Sequence, residues 1–108
     1  MNKIIHIYYI NKIKMCMLNI FDAEDDDYPN IKKVKANERA IERWLNKADI
    51  FDKNLRQELL ENINWTNDNC VKTLEKLGWK VCRDKLAISK KFAKEQLKEL
   101  DYYLGQFR

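Results

Sequence analysis

A mainly α-helical domain is predicted, with β structure a minor addition, and three features of the 108-residue chain predict it. Only two Gly and one Pro are present, so helix breakers are rare. Apolar residues recur at spacings of three and four over most of residues 37–104, the period of a helix with one buried face. Three Trp, five Tyr and four Phe supply enough large side-chain surface for one compact core in a chain too short for two. We therefore expect a single folding unit of about four helices, with residues 1–30 as an apolar segment plus acidic linker and residues 31–108 as the helical domain.

The N-terminal segment is the least periodic. Ile4, Ile5, Ile7, Tyr8, Tyr9 and Ile10, followed by Ile13, Ile20 and Phe21, are residue types that favour strands. The expectation is a β-hairpin turning at Asn11-Lys12, although an apolar run of this length also suits a buried helix. Met15 and Met17 are alternative starting residues, which would leave the stretch before them as an extension. Lys12 and Lys14 interrupt the run, no small-residue cleavage site follows, and Ile4 to Asn11 is far short of the roughly 20 residues a membrane span needs. Asp22, Glu24, Asp25, Asp26 and Asp27 then read as a solvated linker that ends at Tyr28-Pro29.

Asn37 is placed as the cap of a first helix carrying Ala40, Ile41, Trp44, Leu45 and Ala48 on one face. Asp52 caps a second, with Leu55, Leu59, Leu60 and Ile63 inward. Thr66 or Asn67 caps a third, with Cys70, Val71, Leu74 and Leu77 inward, and Gly78 ends it. Trp79 follows as the residue that folds back over the last turn. Trp79, Val81, Leu86 and Ile88 alternate around Arg83-Asp84-Lys85, which predicts a short second hairpin. From Ser89, the residues Phe92, Ala93, Leu97, Leu100, Tyr103, Leu104 and Phe107 mark the longest helix, with Gln96 among them. Its apolar stripe exceeds what one small core needs, so a homodimer seam along this helix is a further use for it.

Chemistry-bearing patterns are sparse. The single His, His6, has no nucleophile pattern around it and reads as a surface or packing residue. Two glycines exclude a Gly-rich phosphate loop, and no HExxH or EF-hand spacing occurs. Cys16, Cys70 and Cys82 are an odd and scattered set, which argues against a disulfide framework or a zinc site and fits a reducing cytoplasm. No catalytic residue, cofactor or metal is expected, and Trp44, Trp65 and Trp79 read first as core.

Charge is the remaining signal. Residues 1–30 are net negative by two and residues 31–108 net positive by six. Lys80, Arg83, Lys85, Lys90, Lys91, Lys94 and Lys98 face only Asp84 and Glu95 in sequence. Such a face is commonly mere solvation, and it is also the footprint that phosphate or an acidic surface would require. The reading placed first is a non-enzymatic protein-binding inhibitor or modulator of nucleic-acid machinery, of the type that phages and mobile elements use. Its expected anchors are Trp65, Tyr102 and Tyr103 with Lys80, Arg83, Lys85, Lys90, Lys91 and Lys94.

The alternative starts from Thr66-Asn67-Asp68-Asn69-Cys70-Val71-Lys72-Thr73-Leu74-Glu75-Lys76-Leu77-Gly78-Trp79. This stretch resembles the recognition helix and wing of a winged helix-turn-helix, over residues 37–88. The resemblance implies a DNA-binding regulator in which Asn67, Asn69 and Lys72 meet the major groove and Arg83 and Lys85 of the wing meet phosphate.

Overall fold

In the computed structural model, residues 3–24, 29–48, 53–72 and 74–106 are described. They form four helices: α1 (Lys3–Glu24), α2 (Ile31–Lys47), α3 (Lys53–Thr66) and α4 (Leu74–Gly105). A π-helical turn, Asn67–Val71, extends the end of α3. The bundle is elongated, 45 × 20 × 19 Å, and residues 79–105, the part of α4 beyond the break at Gly78, alone span about 40 Å at 1.5 Å per residue. α1 packs chiefly on α2 and also on α4, and α3 packs on α4.

The helical class is as expected, and both hairpins are corrected. No strand occurs among the described residues. The N-terminal segment is one helix of 22 residues, in which His6, Ile10, Ile13 and Met17 are buried at spacings of three and four. Ile10 and Ile13, which precede Met15, therefore belong to the core, both being completely enclosed. Asp22 to Glu24, expected as linker, form the last turn of this helix. The second expected hairpin is the middle of α4, where Cys82, Leu86, Ser89, Ala93, Gln96, Leu100 and Leu104 form one buried stripe. The alternation of Trp79, Val81, Leu86 and Ile88 lost to this longer helical register.

The start of α2 also differs. Asn30 caps it, its Oδ1 accepting from the Lys33 amide at 3.1 Å, so the cap lies seven residues before Asn37. Asn37 instead lies mid-helix, its Nδ2 donating to the Lys33 carbonyl at 2.8 Å. The inward face of α2 is as expected for Ile41, Leu45 and Ala48, with Val34 and Glu38 added. That of α3 is as expected for Leu55, Leu59 and Ile63. Thr66 is an ordinary helical residue and makes no side-chain cap. Gly78 does break the helix, at φ +81°, a region that costs any other residue strain. Trp79 is corrected: it is 40% exposed and not a core residue. The expected Asp52 cap, residues 25–28, Phe107 and the side chains of Cys70, Val71, Leu74 and Leu77 lie outside the described residues.

Arg56 closes the far end of α2. Its Nη2 donates to the carbonyl oxygens of Leu45 and Ala48, the latter at 3.0 Å, which satisfies acceptors that a helix end leaves open. Arg56→Ala is expected to cost about 1–3 kcal/mol in urea unfolding, the usual range for charged donors on buried acceptors. Arg56→Lys recovers only part, because one ammonium cannot reproduce the guanidinium's geometry.

Candidate partner-binding groove

The predicted partner residues do not form one site. Along α4 at 100° per residue, Lys80, Arg83, Lys91, Lys94 and Lys98 fall in one exposed row opposite the buried stripe. The row extends about 27 Å. Lys85 and Lys90 turn off it and are half-buried, and the Lys90 ammonium lies 5.6 Å from the centre of the Phe21 ring. Trp65 and Tyr103 lie away from this row, in the seam between α3 and α4, and Tyr102, one turn after Lys98, stands where the row meets that seam.

That seam is a groove. On α3, Asn54, Glu58, Glu61 and Trp65 follow one another at intervals of four, three and four. On α4, Phe92, Glu95, Glu99, Tyr102 and Gln106 repeat the same rhythm. Because a spacing near 3.5 keeps residues on one face, each helix presents a continuous edge to the other. One section, about 400 Å³, is lined by Glu58, Glu61, Trp65, Phe92, Glu95 and Glu99 with Asn62 and Gln96. An adjoining section, about 460 Å³, shares Glu58, Glu95 and Glu99 and continues to Tyr102 and Tyr103.

The groove is thus acidic along its middle and aromatic at both ends. Its floor is stapled by Gln96, whose Nε2 donates to the Glu58 carbonyl at 2.9 Å. Trp65 is half-buried against Cys82 and Leu86, while Phe92 and Tyr102 are exposed. Lys98 sits on the rim beside Glu95 at 3.5 Å. Sequence reading found Trp65, Tyr102 and Tyr103 but missed the glutamates, whose matching 3.5-residue rhythm on two helices was the available signal.

Beneath the groove lies a second polar feature, a small chamber of about 30 Å³ reached by Glu24, Glu38, Asn62, Thr66, Ser89 and Gln96 among apolar neighbours. This is room for one or two waters. The Thr66 hydroxyl bonds to Ser89 and donates to the Asn62 carbonyl at 2.8 Å. Glu38 is buried, and its Oε1 has no hydrogen-bond partner. Burial first, then the charges of Glu24 and Glu42, push its carboxyl up to about 8, with Lys35 acting the other way.

The remaining candidates resolve individually. His6 is fully enclosed, its Nε2 3.0 Å from the Tyr103 hydroxyl, and burial holds the imidazole below its ordinary pKa. It is a packing residue joining α1 to α4. Cys16 and Cys82 are buried thiols, raised above the usual range by that burial, which makes them poor nucleophiles. Among the described residues, no cluster of three His, Cys, Asp or Glu is placed to hold a metal, and no helix is long and apolar enough to cross a membrane.

The winged arrangement does not form. Asn67 and Asn69 lie in the π-helical turn, where Asn69 donates to the Trp65 carbonyl at 3.0 Å. Lys72 pairs with Asp68 at 2.9 Å, and Arg83 and Lys85 stand on a helix where the wing was expected. Compared with protein-family models, curated proteins and solved structures, the chain matches none.

Proposed function

We propose that this protein is a non-enzymatic binding module that takes a cationic segment of a partner protein into the groove between α3 and α4. The observation that carries the reading is the convergence of four glutamates, Glu58, Glu61, Glu95 and Glu99, with Trp65 and Phe92 in one groove. Carboxylates on both walls steer and orient lysine or arginine side chains. The half-buried Trp65 provides a desolvated anchor of the kind on which binding energy concentrates, and the exposed Phe92 adds apolar surface for a partner to cover. Surfaces that nucleic-acid machinery uses to hold phosphate are cationic, so occupying them from an acidic groove is a direct way to inhibit or modulate such machinery.

A labelled Lys/Arg-rich peptide with one Leu or Trp anchor tests the reading by fluorescence anisotropy across a salt series. Binding is expected to weaken steeply with salt, and Glu58→Lys with Glu99→Lys is expected to weaken it about 10- to 100-fold, the effect of placing like charges in contact. No binding at low salt, or binding indifferent to the two reversals, counts against the groove.

The exposed row Lys80, Arg83, Lys91, Lys94 and Lys98 supports a second reading, contact with nucleic-acid phosphates. The same titration with duplex and single-stranded DNA separates the two. Affinity that collapses when the row is neutralised, with no peptide binding, would move the function to the outer face of α4.

A further inference from the structure

α1 is apolar on two sides. Its inner side carries His6, Ile10, Ile13 and Met17 into the core. Its outer side presents Ile4, Tyr8, Met15 and Leu18, exposed to 76%, 50%, 55% and 49%. With the exposed Asn11 these positions run 4, 8, 11, 15 and 18, steps of four and three repeated over two heptads, which is the seam of a helix pair. Soluble proteins seldom leave such a stripe open.

We propose that a second copy of this chain docks on this stripe, antiparallel, about a two-fold axis beside Asn11. Three observations select this occupant. Asn11 is the midpoint of the stripe, so a two-fold axis there sets the two side-chain amides against each other. Each then supplies the donor and acceptor the other needs in an otherwise apolar seam. The charge at the two ends of the stripe differs in sign: Lys3 opens α1, and the exposed Asp22 lies in its last turn, four residues beyond Leu18. With the axis at Asn11, antiparallel pairing sets the start of one helix, with Lys3, beside the last turn of the other, with Asp22, whereas parallel pairing would set Lys3 by Lys3 and Asp22 by Asp22. Covering these side chains on both copies removes on the order of 1,000 Å² of surface, the threshold for a specific interface. The stripe lies on α1, apart from the α3 and α4 edges of the groove, so the two proposals stand or fall separately.

Sedimentation equilibrium from micromolar to millimolar protein tests it. The expected result is a mass rising to twice that of the chain. Met15→Lys with Leu18→Lys, both on exposed positions, raises the dissociation constant about a hundredfold or more while helix content by circular dichroism is unchanged. Asn11→Cys forms an oxidised cross-linked dimer, and Ile4→Cys does not, because the two-fold axis carries the copies of that position to opposite ends. A monomer at every concentration overturns the proposal. So does a dimer indifferent to the two lysines, which would point to another face such as α4, or one in which Ile4→Cys cross-links with itself, which would mean parallel pairing. A monomer that floats with phosphatidylglycerol vesicles overturns it as well, and gives the face to a lipid surface.

Discussion

A chain shortened to begin at Met17 is expected to lose its cooperative unfolding transition. The deletion removes His6, Ile10 and Ile13, all fully enclosed, together with the contact between His6 and Tyr103 that ties α1 to α4. Emptying one large apolar core position costs about 2–5 kcal/mol, and a small domain has about 5–15 kcal/mol in all. Losing two such residues and most of a helix exceeds that margin. The check is urea titration followed by far-UV circular dichroism: a broad, sloping loss of signal is expected for the shortened chain against a sigmoid for the full one. Ile13→Ala in the full chain grades the effect, with a cooperative transition retained and about 2–5 kcal/mol lost. A shortened chain that unfolds as sharply as the full one would show that α1's first half is dispensable to the core.

Glu38 gives the largest expected dependence on pH. Its carboxyl is moved from 4.5 to about 8 in the folded chain. Between those values the folded state therefore holds a proton that the unfolded state has released. Stability is highest below about 4.5 as far as this group is concerned, falls as pH rises through the window, and levels off above about 8. The full span corresponds to up to about 5 kcal/mol, or a fall in Tm of up to roughly 20 °C for a domain this size. Glu38→Gln keeps the shape, removes the charge, and is expected to flatten the decline between pH 5 and 8 while raising Tm at pH 8.5. Thermal melts of both chains across that range decide it. A wild-type Tm that does not move would mean that Glu38 ionises freely, with solvent or a counter-ion reaching the chamber.

The winged-helix expectation failed at a definable place. Asp84 and Lys85 looked like a turn because they are charged and flanked by apolar residues. On a helix the same residues lie off the buried face, with Cys82 and Leu86 four apart beneath them. Local alternation and helical spacing both describe residues 79–88; the long buried stripe continuing to Leu104 decides between them, since only one register buries all of it.

The sequence by itself determined the helical class and the inward faces of α2, α3 and the last part of α4. Few breakers and a one-sided apolar pattern leave a helix only one way to turn. It did not determine α1, because a helix apolar on two sides has no period to read, and its isoleucines and tyrosines suit a strand equally well. Burial against α2 and α4 on one side chose the helix. Nor did it determine the groove or the chamber. Glu58 meets Glu95 and Glu99 from a different helix, and Glu38 shares its chamber with Glu24 and Ser89. Those are encounters between residues distant in the chain, which packing of the helices creates and no local pattern encodes.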